Sequence, residues 1–126
     1  MACKQDIRST VGRRGEEIAA RFLMESGHTV LERNWRAGHL EIDIISLAAD
    51  GIHFVEVKSR IFPTMADPEE NVRAGKRKRL AKAACRWLER NGRTGMECRF
   101  DIISIVFSGE TYAVRYLPEA FLPMSV

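Results

Sequence analysis

Hydrophobic residues recur along this chain at two spacings, one typical of helices and one typical of strands. Over residues 12–26 they return every three to four positions, which predicts an amphipathic helix that Gly27 ends. A second helical pattern covers 69–90 and stops before Asn91 and Gly92. Short apolar runs bounded by turn-forming residues predict five strands, at 29–35, 40–47, 53–60, 97–107 and 112–116.

The order helix, three strands, helix, two strands predicts an α/β protein. With so few elements, one continuous core is best buried by a mixed sheet of about five strands flanked by the helices. The 126 residues suffice for one core and are too few for two ordinary ones, so a single domain over 1–126 is expected. The turn at 48–51 makes the second and third strands a hairpin.

The strongest chemical signal is a set of ionisable residues within this hairpin, where apolar residues are expected. Strand alternation places Glu41 and Asp43 on one face, and it places Glu56 and Lys58 together on one face of the next strand. The opposite face of the strand at 40–47 holds three apolar residues, Leu40, Ile42 and Ile44. Pairing of the two strands therefore gathers three carboxylates and one ammonium group.

Two hairpin registers are compatible with the turn. A turn centred on Ala49 and Asp50 sets Asp43 opposite Glu56, whereas a turn centred one residue later sets Asp43 opposite Lys58. Both registers keep the four ionisable groups on one face. In the first register the two carboxylates lie about 5 Å apart at Cβ, and they repel each other unless a cation lies between them.

A pair of converging carboxylates suits a hard divalent ion, since Mg²⁺, or Mn²⁺ in its place, takes oxygen ligands and commonly binds through one or two carboxylates. Asp43 and Glu56 supply that pair, and the backbone carbonyl of Val57 lies within reach. Glu41 is a further candidate ligand, and Lys58 is placed to orient an attacking water or to offset charge on a phosphate. A plain alternative stays open: Glu41 and Lys58 can form a solvated cross-strand ion pair worth about 0.2–1 kcal/mol.

These residues resemble a known nuclease signature. Glu41-Ile42-Asp43 followed by Glu56-Val57-Lys58 is similar to the split motif of the PD-(D/E)xK nucleases, with Ile42 where the name of the motif has proline. Together with further stretches, the motif resembles the YraN-like family of small bacterial proteins over nearly the whole chain. The stretches that carry this resemblance are 12–16, 33–36, 40–43, 54–60, the helix at 76–87 and 99–101.

The resemblance implies a restriction-endonuclease-like fold, similar to that of the archaeal Holliday-junction resolvases. It implies a Mg²⁺- or Mn²⁺-dependent endonuclease that hydrolyses DNA phosphodiester bonds on branched or structured DNA, and it makes a homodimer plausible. The motif assigns catalytic roles to Asp43, Glu56 and Lys58, and similarity to the resolvases adds Glu16 from the first helix. Helix geometry favours Glu16 over Glu17, because Glu16 lies at the edge of the apolar stripe. The helix dipole alone also explains a glutamate in a first helical turn, so both explanations of Glu16 stay open.

The second helix carries a concentrated positive charge. The net charge of the chain is +3, yet residues 71–95 hold nine lysines and arginines against the single acid Glu89, a balance of +8. On a helical wheel the apolar side consists of Leu80, Ala84, Trp87 and Leu88. The basic residues form a separate stripe, Lys76, Arg79, Lys82, Arg86 and Arg90. Like charges at this spacing destabilise a helix by roughly 0.2–0.5 kcal/mol per pair, so the stripe predicts binding to a polyanion.

Three functions are compatible with these features. The first is the DNA endonuclease, and the second is a non-catalytic module that binds DNA or RNA through the basic helix 71–93. The third is an interaction protein whose basic helix docks an acidic partner. The candidate nucleic-acid contacts are Arg13, Arg36, Arg60, Lys76, Arg79, Lys82 and Arg86.

Other chemistries and locations lack support in the sequence. The chain has neither a G-x-S-x-G elbow nor a G-x-G-x-x-G loop, and its three cysteines contain no Cys-x-x-Cys pair that would indicate zinc. No stretch approaches the ~20 apolar residues that cross a bilayer, and the first ten residues lack the apolar middle of a signal peptide. A cytoplasmic protein without membrane association is therefore expected.

Overall fold

All described strands belong to one β-sheet, with a helix packed on each face. The computed structural model describes residues 4–63 and 74–121, and the side chains of 10–63 and 75–120. In chain order the elements are α1 (Lys4–Glu25), β1 (Thr29–Ala37), β2 (Leu40–Ala48), β3 (Gly51–Ile61), α2 (Ala74–Arg90), β4 (Cys98–Ser108) and β5 (Thr111–Phe121).

The five strands lie in the sheet in the same order as in the chain. Short turns connect β1, β2 and β3, which pair antiparallel, as do β4 and β5. The pair β3–β4 is parallel, which requires a crossover connection, and α2 lies in that connection. The predicted α/β architecture, a mixed five-stranded sheet flanked by helices, is confirmed.

Each helix covers its own hydrophobic cluster. In the α2 cluster the ring of Phe54 meets Trp87 edge-on at 6.0 Å and stacks on Phe100 at 5.5 Å between centroids. In the α1 cluster Leu23 packs with Ile44 and other fully buried strand residues. The apolar side predicted for the second helix is buried as expected, at Leu80, Ala84, Trp87 and Leu88.

The strand β2 departs from simple alternation. The pattern predicts Leu40, Ile42 and Ile44 on one face, but Leu40 and Ile42 are buried in the α2 cluster and Ile44 in the α1 cluster. The pairing of β2 with β3 ends at Ile44, and the residues before it pair with β1 alone among the described strands. The prediction of a shared face is wrong because this part of β2 turns away from β3.

The predicted elements are all present, with ends that differ. α1 begins at Lys4 instead of residue 12, and β5 continues to Phe121 instead of residue 116. The pairing of β4 with β5 has a register shift between Phe100 and Ile102 of β4. The apolar pattern of the sequence does not predict this irregularity. The start expected for the second helix, at 69–73, lies outside the described residues. No helix within 4–63 and 74–121 is both long and apolar enough to cross a bilayer.

Two glycines allow close approaches that position the elements around β3. At Gly15 a Cβ atom would overlap Oγ of Ser59, so α1 approaches β3 here more closely than any larger residue permits. At Gly51 φ is +124°, and a Cβ atom would overlap the backbone carbonyl of Glu97. That carbonyl accepts a 2.9 Å hydrogen bond from the N–H of Ile52. These contacts hold α1 and the chain entering β4 directly against β3.

Candidate functional site

The hairpin register decides which polar groups meet. β2 and β3 pair from Ala48 opposite Gly51 to Ile44 opposite Val55. This register centres the turn on residues 49–50, as in the first of the two alternatives. The second alternative, which sets Asp43 opposite Lys58, is wrong.

Asp43 lies where β2 and β3 separate, one residue beyond their last pair. Continued by one step, the register places Asp43 opposite Glu56. Oδ2 of Asp43 accepts a 2.9 Å hydrogen bond from the N–H of Val57, so a side chain satisfies this donor of β3 where strand pairing has stopped. The separation of the two strands, called the fork below, therefore presents the carboxyl groups of Asp43 and Glu56 to the space beside it.

A cleft of about 200 Å³ lies between the fork and the beginning of α2. Acidic side chains line it from the hairpin, and basic side chains line it from the helix. The lining residues are His39, Leu40, Glu41, Asp43, Glu56, Lys76, Arg79 and Leu80. Opposite charges on facing walls suit a ligand that combines a cation with a phosphate group.

The surroundings of Asp43 disfavour its charged form. Burial raises its pKa most, Glu56 raises it further, and the hydrogen bond from Val57 opposes both, with the result that the pKa of Asp43 lies at about 8. Glu16 from α1 and Glu41 from β2 add weaker repulsion in the same direction. Glu16 thus lies near enough to act electrostatically on this carboxyl group. A bound cation would reverse the balance and favour the carboxylate.

Glu56 is 9% exposed and has two ammonium groups beside it. Nζ of Lys76 donates a hydrogen bond to Oε1 of Glu56, and Nζ of Lys58 lies 3.8 Å from the same oxygen. Burial, followed by repulsion from Lys76, lowers the pKa of Lys58. Burial is the largest influence on Lys76 and disfavours its charge, but the hydrogen bond to Glu56 and the attraction of the Glu56 and Asp43 carboxylates together raise its pKa. Lys76 is therefore the tight partner of Glu56, and Lys58 is the lysine that releases a proton more readily.

The oxygen atoms at the fork fit a hard divalent ion held by two carboxylates. The N–H and C=O of a strand residue point to the same side, so the carbonyl of Val57 shares the side on which its N–H meets Asp43. Among the side chains that the structure describes, no three from His, Cys, Asp and Glu form a ligand set. An ion bound by Asp43 and Glu56 would therefore retain several waters, as Mg²⁺ commonly does.

Glu41 takes a different partner from the one expected. Its neighbour on β1 is Arg36, and Nη2 of Arg36 lies 3.6 Å from Oε2 of Glu41, with both side chains exposed. The alternative of a Glu41–Lys58 ion pair is wrong, because strand pairing ends before these two positions could face each other. Glu41 still lines the cleft, and Arg36 is paired with it.

The basic residues predicted to contact nucleic acid differ in their availability. Three of them are exposed on α2, Arg79, Lys82 and Arg86. Arg13 is exposed on α1, whereas Arg60 is half-buried on β3 with Nε buried and without a hydrogen-bond partner. At the far end of the stripe, the guanidinium of Arg90 lies 5.9 Å from the centroid of the Trp35 ring. Residues 71–73 of the basic segment lie outside the described part of the chain.

Two features of the structure were not foreseen. Lys76 was expected only in the nucleic-acid stripe, because helical spacing does not show that the start of α2 reaches the hairpin. His53 received no role, yet its side chain is 4% exposed and lies between Asp50 and Asp101, at 2.7 Å and 2.5 Å. A signal for the second feature was present, since Asp101 is a charged residue between the apolar Phe100 and Ile102.

Fold and cleft together define a mixed α/β protein with an acid–acid–lysine cluster at a forked hairpin, the arrangement expected of the restriction-endonuclease-like class. The chain belongs to the family described as Uncharacterised protein family UPF0102, whose model matches residues 15–105. The family expected from the resemblance is thereby confirmed.

Relatives of this family cover nearly the whole chain. A UPF0102 protein of Nitratidesulfovibrio vulgaris (strain DP4) is 39% identical over 92% of this chain and 87% of its own length. A UPF0102 protein of Myxococcus xanthus (strain DK1622) is 40% identical over 90% of both chains. One of Bacteroides thetaiotaomicron is 35% identical over 90% of this chain and 93% of its own.

Proposed function

We propose that this protein is a divalent-metal-dependent endonuclease that hydrolyses DNA phosphodiester bonds, with branched or otherwise structured DNA as the expected substrate. The observation that carries the proposal is the fork, where Asp43 and Glu56 converge on one cleft beside Lys58. The raised pKa of Asp43, about 8, supports it, since strongly perturbed carboxyl groups in clefts concentrate at functional sites.

Asp43, Glu56 and the carbonyl of Val57 are the groups that would hold Mg²⁺ or Mn²⁺. When bound, such an ion supplies Lewis-acid polarisation of the phosphate and lowers the pKa of water. Asp43 has to lose its proton to act as a ligand, so ion binding at neutral pH is coupled to proton release.

Lys58 is the side chain that acts on the reacting groups. Only 14% of it is exposed, and burial lowers its pKa, so its ammonium is a poorly hydrated donor next to the carboxylate of Glu56. In this position it donates a hydrogen bond to a phosphate oxygen as negative charge grows there, or it orients the attacking water. Glu16 adds negative charge near Asp43 from α1, at the position that the contact between Gly15 and Ser59 sets.

The exposed cations of α2 would hold the nucleic-acid backbone. Arg79 lines the cleft, and Lys82 and Arg86 continue the positive charge along exposed positions of the helix. Contacts of this kind bind phosphates without reading bases, and their strength falls steeply with salt. The stripe would therefore guide a phosphodiester into the cleft whatever its sequence.

A cleavage panel tests the proposal. Single-stranded, duplex, flapped and four-way DNA are incubated with Mg²⁺, Mn²⁺ or a chelator, and products are resolved on denaturing gels. We expect metal-dependent cleavage by the native chain and a loss of about 10³-fold in Asp43→Ala and Lys58→Ala, with cooperative thermal unfolding retained. The matched controls Glu110→Ala and Lys78→Ala remove charges from exposed positions and should retain activity within a few-fold. A folded native chain that yields no product with either metal contradicts the proposal.

A second function is favoured by the exposed cations of α2 alone. A non-catalytic module would bind DNA or RNA with an affinity that falls with salt, and Asp43→Ala and Lys58→Ala would leave that affinity unchanged. Fluorescence anisotropy with the same DNA panel and an RNA duplex separates the two functions. Binding without cleavage, insensitive to both substitutions, supports the module.

A further inference from the structure

Lys76 differs from the exposed cations of α2, Arg79, Lys82 and Arg86. Lys76 reaches across the cleft, and its Nζ donates a hydrogen bond to Oε1 of Glu56. About 35% of the Lys76 side chain is exposed, against 10% of the Glu56 side chain. The bond therefore joins a buried carboxylate to a side chain that is partly open to solvent. Neither the nuclease motif nor the stripe requires this contact.

We propose that Lys76 is a built-in counter-ion, which occupies Glu56 while the cleft lacks a metal and moves to a nucleic-acid phosphate when metal and substrate bind together. This inference rests on the proposed function and adds coupling between the two ligands. Lys76 competes with the metal for one carboxylate, and the phosphate removes the competitor.

The competition follows from the burial of Glu56. A carboxylate removed from water requires a cation, and two candidates lie beside it. Lys58 is the looser one, at 3.8 Å from Oε1, whereas Lys76 forms the direct hydrogen bond to the same oxygen. A divalent ion at Asp43 and Glu56 would meet the ammonium of Lys76 at close range. Since charge repulsion is strong in a poorly solvated cleft, Lys76 and the ion exclude each other.

The place of Lys76 in the fold supplies its second partner. Lys76 is in the first turn of α2, where the exposed stripe reaches the cleft, and Arg79 lines the same cleft one turn later. A phosphate bound by Arg79 would be a new acceptor for the ammonium of Lys76. When Lys76 binds the phosphate, it no longer competes with the metal for Glu56, so the metal binds more tightly. Because coupling is reciprocal, the metal strengthens phosphate binding by the same factor.

Direct measurement of Mn²⁺ affinity tests the competition without reference to cleavage. Mn²⁺ binding is followed by electron paramagnetic resonance and by calorimetry for the native chain, Lys76→Met and Arg79→Met. The arginine variant is the matched control, because it removes one positive charge from the same cleft wall but not the partner of Glu56. We expect Lys76→Met to bind Mn²⁺ roughly tenfold more tightly than the native chain, and Arg79→Met to change the affinity much less.

Equal affinities in the two variants, or no gain in Lys76→Met, overturn the inference. Lys76→Gln repeats the measurement with a side chain that retains polarity, and circular dichroism establishes that each variant is folded. Absence of Mn²⁺ binding in all folded variants at millimolar concentration likewise overturns it, since no competition then exists.

The second arm measures the coupling. The affinity for a phosphorothioate DNA duplex is determined by anisotropy with and without Mn²⁺, and gels establish that the duplex stays intact. In the native chain, Mn²⁺ should increase the affinity for the duplex by about the same factor by which Lys76→Met increases the affinity for Mn²⁺. In the Lys76→Met variant, Mn²⁺ should increase the affinity for the duplex less. Coupling without cleavage of ordinary DNA would count against the nuclease but support this inference. Cleavage of DNA with unchanged Mn²⁺ affinity in Lys76→Met would support the nuclease and overturn this inference.

Discussion

Each face of the sheet holds an acidic side chain away from bulk solvent, Asp101 fully and Asp43 in part, and the two have opposite surroundings. Asp101, on the face that α1 covers, is fully buried and meets three donors. It accepts hydrogen bonds from the hydroxyl of Tyr116 at 2.7 Å and the N–H of Glu119 at 2.9 Å, and it lies 2.5 Å from Nδ1 of His53. Asp43, at the fork, accepts a hydrogen bond from the backbone N–H of Val57 and faces other carboxyl groups.

This difference separates a structural acid from one that is available for chemistry. Every donor around Asp101 is used within the fold, so nothing remains for a ligand. The pKa of Tyr116 is raised by burial and by its bond to Asp101, which keeps the phenol protonated as a donor. Around Asp43 burial and carboxylate repulsion raise the pKa instead, so its charged form would be stabilised by an external cation. An acid that the fold leaves in such surroundings is a better ligand candidate than one with a complete set of partners.

The largest loss of stability expected from this comparison is that of Asp101→Asn. The amide replaces one acceptor oxygen with an NH₂ donor, so it cannot satisfy all three donors, and we expect a loss of about 3 kcal/mol in the free energy of unfolding. One of those donors, Glu119, has a positive φ of 50° within the irregular part of β5, so strand pairing there also depends on Asp101. Urea denaturation followed by circular dichroism measures the change.

Asp50→Asn is the matched control for this substitution. Asp50 contacts the same histidine, His53, but half of its side chain is exposed to solvent. Its replacement should cost less than about 1 kcal/mol, because water can replace the lost contact. Equal losses in the two variants would show that the hydrogen bonds around Asp101 contribute no more to the free energy of unfolding than the exposed contact of Asp50 does.

The second effect has the opposite sign: Asp43→Asn should stabilise the protein in the absence of divalent ions. The amide retains an oxygen for the N–H of Val57 and removes the buried charge. Because the folded pKa of about 8 lies above the ordinary value of 3.8, the folded protein holds the proton more tightly than the unfolded chain. The contribution of Asp43 to stability therefore falls as pH rises from about 4 through about 8.

The gain in Asp43→Asn should accordingly be negligible near pH 4 and grow up to about pH 8, by at most about 1.4 kcal/mol for each pH unit. Urea denaturation at several pH values, with a chelator present, measures it. A loss of stability as large as that of Asp101→Asn would place Asp43 among the structural acids and remove the contrast between the two faces.

The sequence was sufficient to predict the fold and the gathering of charges, for a physical reason. Apolar periodicity is local, so it located both helices and all five strands, and alternation placed Asp43 and Glu56 on one face. It could not choose between two turn centres, because the choice depends on contacts such as that of Gly51 with Glu97, far away in the chain. It could not foresee the turn of β2 at Ile44 for the same reason.

What could not be predicted depends on tertiary placement. Lys76 meets Glu56 only because α2 crosses from β3 to β4 and begins beside the fork. His53 meets Asp101 only because β3 and β4 pair in parallel with Val55 beside Asp101, a register set by the crossover. Strand patterns contain no information on either distance. The charges were visible in the sequence, but their partners were not.

The smallest expected effect isolates His53 within the satisfied network. Burial lowers the pKa of His53, but hydrogen bonds to Asp50 and Asp101 together with the attraction of their charges raise it above the ordinary 6.5. Protonated His53 thus stabilises the fold fully below about pH 6.5, and this contribution disappears as pH rises through the raised value. His28, whose ring centroid lies 4.6 Å away, has a pKa lowered by burial and then by His53, which gives a slope of the opposite sign.

The test is therefore a difference between two variants that both lack the Asp43 charge. In an Asp43→Asn background, urea denaturation across about pH 5 to 9 compares chains with and without His53→Gln. The chain that retains His53 should lose stability more steeply as pH rises. Only in this chain does deprotonation remove the positive charge of a ring that contacts both Asp50 and Asp101. Parallel curves would mean that folding leaves the pKa of His53 unchanged, and charge on His53 would then contribute nothing to the network on the α1 face.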